Sequence, residues 1–345
     1  MKSILRPTSI NDLDKVRRFL QQAFNANLNA PFLDPAVMVW KYWDRRADWQ
    51  DPRGYVLERD GAIVAHVGVL PLTFEAQGLR GVQMIDWASS KDAPGAGLAI
   101  LQKLDAMFDF IYSIGGSEMT RRILPAYGFV EYARQWRAAR PLRPVRQILS
   151  HQRRNWKLVP RLARNLQWAR LPTNAHPPAT WTAEEINPSQ ILPDLNSRSA
   201  EDAFFSPRPP GFFEYLLRCP VMQTRLYGIR NQEGFQGHFA IGVLRGQARV
   251  AGVWLVNPGD ETWQTAFALA SRVATNLKDA NEIVVTGSCG VSEKAAIAAG
   301  FRVTGSSPVF LLNKKRKLSL SSDFQFQLSD DDAFFLDTGD APYWT

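Results

Sequence analysis

Residues 81–108 decide the fold: an apolar strand carrying Val82, Met84, Ile85 and Trp87 runs into Asp92-Ala93-Pro94-Gly95-Ala96-Gly97 and then into a helix over 98–107. A chain that leaves a strand through two closely spaced glycines and enters a helix presents unpaired backbone N–H groups and the positive end of the helix dipole. Such a turn suits a phosphate. The same residues also fit a turn that only lets the strand and helix pack closely.

Upstream, the spacing predicts a strand over 3–6 and a helix through Phe24, capped by Ser9 or Asn11, with Leu13, Val16, Phe19 and Leu20 on one face. Pro35 opens a second helix, and Asp60-Gly61 joins strands 55–59 and 63–73 as a hairpin. Downstream come a strand over 110–113, a helix over 118–127 stopped by Gly128, and a strand over 129–139. The second half repeats this faintly. Strands are predicted over 222–230, 237–244 and 249–256, a helix over 262–277, a strand over 282–286, a helix over 291–299 ending in Gly300-Phe301, and a strand over 309–312. Mixed strands and helices throughout imply an α/β (mixed α+β) class, with sheets covered by helices on both faces.

A length of 345 residues is about twice that of a usual domain, and the 45% apolar content supplies ample core. The formal charge of +8 is local: Arg143, Arg146, Arg153, Arg154, Lys157, Arg161, Arg164 and Arg170 stand between Pro141 and Leu171 with no acidic residue among them. That segment reads as an amphipathic connector with a solvated basic face, or as a contact for nucleic acid or another acidic surface. Leu171 to Pro193, rich in proline, reads as extended linker. The expected organisation is therefore a first domain over 1–141, a connector and linker over 142–194, a second domain over 195–318 and a tail over 319–345. The two cysteines, Cys219 and Cys289, make neither a disulfide framework nor a zinc set, and His151, His176 and His238 are scattered, so no metal is expected. No apolar run of membrane-spanning length and no signal-type amino terminus is present, which reads as a cytoplasmic protein.

The order of elements over Ile4 to Pro141 resembles the GNAT superfamily of acyl-CoA-dependent N-acyltransferases. The strand leading into Gly95-Ala96-Gly97 and the helix ending in Gly128-Phe129 carry the resemblance. Trp40-Lys41-Tyr42, Asp51-Pro52-Arg53-Gly54 and the hairpin strand through His66-Val67-Gly68 are similar to a bacterial subgroup. The resemblance implies two GNAT-like domains in tandem, each a mixed, mostly antiparallel sheet with helices on both faces. It implies acetyl-CoA or another acyl-CoA as donor, its pantetheine along Trp87, Ala88 and Ser89, and its pyrophosphate on the amides of Ala93, Pro94, Gly95, Ala96, Gly97, Leu98 and Ala99, although proline itself offers no N–H. Ser117 stands where the family often has a residue near the pantetheine, and it also reads as a plain helix cap. Asp92 stands where the family usually has Arg or Gln, and Leu124 where it often has tyrosine. In the second half, Gly259-Asp260-Glu261 replaces the glycine loop, and its two acids would repel a pyrophosphate, so that domain reads as degenerate.

Amine acylation requires a base for the attacking nitrogen and usually an acid for the leaving thiolate. Asp86, on the strand before the loop, is the expected base, because the family often places a carboxylate on this strand. His66 is an alternative base or a core histidine, and Tyr127 an acid or a packing residue. The tail mixes Phe324, Phe326, Phe334, Phe335 and Trp344 with Asp330-Asp331-Asp332. So many aromatics imply a tail docked on the body. The acidic run reads as a helix cap or as a group holding an amine substrate.

Three functions remain open at this level. The first is N-acyltransfer from acyl-CoA to a small-molecule or peptide amine. The second is aminoacyl-tRNA-dependent transfer, with the basic connector following RNA. The third is a binding protein without catalysis.

Overall fold

The computed structural model describes residues 3–150, 156, 158–170, 175–195, 198–315, 317–339 and 342–345. Of the residues singled out above, His151, Arg153, Arg154, Lys157 and Leu171 lie outside the described residues.

The N-terminal half contains β1 (Ser3–Pro7), α1 (Leu13–Ala23), α2 (Pro35–Tyr42), β2 (Gly54–Arg59), β3 (Ala62–Phe74), β4 (Leu79–Ser89), α3 (Ala96–Met107), β5 (Phe110–Ile114), α4 (Glu118–Tyr127) and β6 (Val130–Pro141). A connector with α5 (Pro144–Leu149) and α6 (Leu158–Trp168) follows. The C-terminal half contains β7 (Thr182–Glu185), α7 (Pro210–Leu217), β8 (Gln223–Asn231), β9 (Gly234–Leu244), β10 (Gln247–Leu255), α8 (Asp260–Asn276), β11 (Glu282–Gly287), α9 (Gly290–Ala298) and β12 (Arg302–Leu312). Two elements escaped the sequence pattern. The short strand β7 lies inside the stretch expected to be linker and pairs with β8, and α7 is a short helix opened by Pro210.

Local chemistry explains the boundaries. Pro35 occupies the first turn of α2, and Asp34 Oδ1 accepts the Ala36 N–H at 2.8 Å. Asp60 and Gly61 both have positive φ, at 51° and 85°, as the tight hairpin between β2 and β3 requires. Gly128 ends α4 at φ 112°, and Gly300, after α9, has φ 90°.

All strands join one twelve-stranded sheet in the order β1-β2-β3-β4-β5-β12-β6-β11-β10-β9-β8-β7. Each half contributes an antiparallel ribbon and one parallel pair, β4 with β5 and β10 with β11. The sixth strands then cross over: β12 pairs with β5, and β6 pairs with β11, while β6 and β12 pair with each other. The sheet of each half is thus completed by the last strand of the other. The boundary expected at 141 falls at the end of β6, a strand flanked on one edge by β12 and on the other, over Trp136–Pro141, by β11, both from the second half.

On one face, α3 and α4 pack on the N-terminal half through Ile100, Leu101, Leu104 and Leu124, and α8 and α9 pack on the C-terminal half through Phe267, Leu269 and Ala296. On the opposite side, α1 and α2 cover the first strands, and α7 with the tail covers the centre. The tail is anchored by Phe324, Phe326, Leu328 and Phe334, each at most 2% exposed. Within it, 330–332 belongs to two successive 3-10 turns, Leu328–Asp330 and Asp332–Phe334, rather than to one helix. Among the described residues no helix is long and apolar enough to cross a membrane.

Candidate active site

Strands β4 and β5 pair only from Gly81–Gln83 against Phe110–Tyr112 and then part. Beyond Gln83, the edge of β4 that faces away from β3 has no strand partner among the described residues. Its amides and carbonyls are available to an extended ligand, as in strand addition. The parting opens a cavity of about 420 Å³. Gln83 to Trp87 form one wall, Ser113 and Ile114 of β5 another, and Gly116, Ser117 and Thr120 the entry to α4. Phe24 and Phe32 close it on the side of α1, and Asp331, Asp332, Leu336 and Thr338 of the tail close it from the C-terminal half. A wider hollow of about 560 Å³ beside Trp49 and Arg80 has neither the open β4 edge nor the glycine loop in its wall.

A β-bulge shapes β4 at this point. Asp86 and Trp87 together oppose the single residue Val67 of β3, and Asp86 takes φ 48°, a left-handed conformation that Asp tolerates better than most residues. The bulge breaks the alternation expected for this strand, so Met84 and Trp87 both face the side covered by α3, with Ile85 on the other. Its conformation is held by α2. Lys41 Nζ lies 2.6 Å and Tyr42 Oη 2.5 Å from Asp86 Oδ2, and all three side chains are almost wholly buried. The Tyr42 ring also explains Gly68, where a Cβ would stand 2.6 Å from Tyr42 Cε1. Arg53 donates to the carbonyls of Trp40 and Asp44 at the end of α2, so the two motifs noted in the sequence form one support for the bulge.

These contacts bear on each candidate. Asp86 lines the cavity. Burial acts to raise its pKa, but the Lys41 ammonium and the hydrogen bonds from Lys41 and Tyr42 outweigh it and hold the carboxyl below its ordinary value. A carboxylate so stabilised is a weak proton acceptor. His66 is fully buried, its Nδ1 3.2 Å from the Asp86 carbonyl, and burial pushes its pKa down to about 4. It contributes nothing to the cavity wall. Tyr127 is also absent from that wall: its hydroxyl points to Asp105 Oδ2 at 3.4 Å, and the Lys314 ammonium sits 3.9 Å from its ring centre. Buried Leu124, which fills the family position, does not line the cavity either, and both residues pack in the core under α3 and α4. The role of acid thus loses its geometric basis at Tyr127.

The glycine loop is better placed. Gly95 caps α3 at φ 81°, which disfavours any side chain, and nothing stands within 4 Å of where its Cβ would be. A Cβ on Gly97 would meet Trp87 Nε1 at 3.4 Å and Ser89 Oγ at 3.5 Å. The Trp87 indole donates to the Gly97 carbonyl at 3.1 Å, locking the end of β4 to the first turn of α3. Asp92 is exposed and its N–H bonds to Ser90 Oγ, so water screens its charge. Ser117 caps α4 by accepting the Thr120 N–H at 3.1 Å, and it lines the cavity as well.

The corresponding opening in the C-terminal half, where β10 and β11 part beyond Arg249 and Val284, is filled by the tail. The Val253 N–H donates to Gln327 Oε1, Arg249 Nη1 donates to the carbonyls of Ala333, Phe334 and Leu336, and Gln325 Oε1 accepts from the amides of Ser288 and Cys289.

No protein-family model and no curated protein sequence matches the chain. Solved structures do. A GCN5-related N-acetyltransferase from Anabaena variabilis is similar with a TM-score of 0.57 at 11% identity, over 90% of this chain and 72% of that one. A probable N-acyltransferase from Enterococcus faecalis gives 0.55 at 13% identity, with the same coverage. A tandem GNAT protein from the clavulanic acid biosynthesis pathway gives 0.51 at 13% identity, over 90% of this chain and 98% of that one. The fold is that of the GNAT superfamily, in tandem. Within this GNAT frame, sequence reasoning missed Lys41, Tyr42 and Gln83. Lys41 and Tyr42 were noticed only as part of a motif, and nothing in their spacing tells which carboxylate they meet.

Proposed function

We propose that the chain is an acyl-CoA-dependent N-acyltransferase with its donor site in the N-terminal half. The observation that carries this reading is the open β4 edge, which leads directly into Gly95 and the first turn of α3. In this arrangement a pantetheine arm hydrogen-bonds along Trp87, Ala88 and Ser89. The pyrophosphate meets the amides of the 93–99 loop and the helix dipole. The thioester then lies beside the cavity, where an amine entering past Phe24 and Phe32 reaches it. Among acyl donors acetyl-CoA is the first to test. At 100 times its dissociation constant it should add about 2.7 kcal/mol to stability, read as a rise in Tm. No rise with acetyl-CoA, longer acyl-CoAs or free CoA would remove the reading.

The RNA-dependent alternative finds less support in the connector. Arg143 and Arg146 donate to carbonyls of Thr275, Leu277, Lys278 and Ala280 around the end of α8, and Arg161 donates to the Thr345 carbonyl. These guanidiniums serve the protein's own backbone.

A further inference from the structure

The tail brings two carboxylates into the N-terminal cavity. It is fixed just before them by the buried pair of Arg208 and Asp330, at 2.5 Å, by the Tyr112 hydroxyl on the Asp330 carbonyl, and by Arg208 on the Pro71 carbonyl. Asp331 and Asp332 follow at once and line the cavity. Neither has a salt-bridge partner among the described residues, whereas Asp86 beside them is matched by Lys41. With no ion pair of their own, the carboxyl oxygens of Asp331 and Asp332 are placed to receive a cation from a ligand.

A second observation, independent of charge, points the same way. Gln83 is 1% exposed and lines the cavity. Its Nε2 donates to Asp331 Oδ1 at 2.9 Å, which fixes the amide's orientation because a carboxylate accepts. Its Oε1 is then left buried with no hydrogen-bond partner among the described residues, a cost of about 1–3 kcal/mol that a ligand N–H would relieve. Phe24 and Phe32, edge-to-face at 6.3 Å, together with Ile114 and Leu336, give the cavity an apolar side.

We propose that the Asp331–Asp332 pair receives the acceptor as an ammonium ion on an apolar body and takes the proton that frees its nitrogen, while Gln83 Oε1 accepts a second N–H. The proton transfer rests on the acyl-transfer reading above. Burial pushes the Asp331 carboxyl up, and burial together with the neighbouring Asp331 pushes Asp332 well above its ordinary value, so this pair holds a proton more readily than Asp86 does. Lys41, Asp86 and Tyr42 from β4 and α2 are the other titratable groups on that side. In the step, the ammonium gives one proton to the carboxylate, and the freed amine attacks the thioester carbonyl. The C–N bond forms, the C–S bond breaks, and the departing thiolate takes the second proton from nitrogen. The carboxylic acid returns its proton to water.

The test uses the full chain with benzylamine as acceptor probe and benzyl alcohol as its uncharged counterpart. Calorimetry should show benzylamine binding and benzyl alcohol not. Thiol release from acetyl-CoA should fall about 10²–10⁴-fold in Asp332→Asn and recover in part in Asp332→Glu, with acetyl-CoA affinity unchanged in both. Gln83→Leu should raise KM for benzylamine and leave acetyl-CoA affinity alone. Equal binding of the alcohol, no binding of benzylamine, or an Asp332→Asn variant with wild-type turnover overturns the proposal. Asp332-dependent benzylamine binding in a chain that binds no acetyl-CoA upholds the ammonium site and overturns the acyl-transfer step.

Discussion

Beyond Gln83 and Tyr112 the N-terminal half leaves a cavity of about 420 Å³, whereas beyond Arg249 and Val284 the C-terminal half is packed with residues 325–336. Both openings arise from the same event, a parallel pair that runs together for three residues and then diverges. What differs is the occupant. In the C-terminal half, side-chain amides of Gln325 and Gln327 take the backbone donors that an extended ligand would otherwise use. The same tail then passes into the first opening and presents Asp331 and Asp332 there. One segment thus fills one opening and lines the other, and the reciprocal exchange of β6 and β12 holds the two halves in register for it.

The largest effect should come from removing the segment. Truncation after Ser322 exposes the surfaces that bury Phe324, Phe326, Leu328 and Phe334. At about 1.5–3 kcal/mol each, the loss is about 6–12 kcal/mol, comparable to the whole stability of a domain. The truncated chain should fail to give a cooperative denaturation curve. A stable truncated form with a second CoA site would instead show the C-terminal opening to be latent rather than lost.

A smaller loss isolates the anchor. Arg208→Leu leaves the Asp330 carboxylate buried without its partner, and should cost about 3–5 kcal/mol in urea unfolding. Because Asp330 precedes the cavity pair, acetyl-CoA binding should survive while benzylamine binding weakens. Equal loss of both would mean that the tail supports the donor site too.

The halves also share a buried histidine on their third strand, His66 and His238, and its titration gives the next comparison. Burial lowers their pKa values to about 4 and about 3, from 6.5. Unfolded histidine takes up a proton as pH falls through 6.5 and the folded form does not, so the stability each confers is full above 6.5 and declines below it. For His66 the loss by pH 4.5 is about 2–3 kcal/mol. His66→Gln should flatten its share of the pH dependence between 7.5 and 4.5, as measured by denaturation at both values. An unchanged slope would show that His66 is protonated in the folded protein.

Much of the frame was legible from residues alone, because periodicity, Asp60-Gly61, Pro35, Gly128 and Gly300 are local signals. The strand exchange was not, since a strand reads the same whichever half it joins. Asp86 was placed on the right strand, yet its bulge and its ion pair with Lys41, 45 positions away, depend on how α2 packs. For Tyr127 the sequence could not decide between an acid and a packing residue, because helical spacing gives a face but not what the neighbouring strands leave open. Asp331 and Asp332 stand nearly 250 residues from Gln83, and only the folded tail brings them together.

The central claim is that this tandem chain has one acyl-CoA site, in the half whose opening the tail leaves free. Calorimetric titration of acetyl-CoA into the full chain and into Gly97→Glu tests it most directly, because a glutamate there would project beside Trp87 and Ser89 into the amide cradle. We predict a stoichiometry near one for the wild type and no binding for the variant. A stoichiometry near two, or undiminished affinity in Gly97→Glu, would contradict the account.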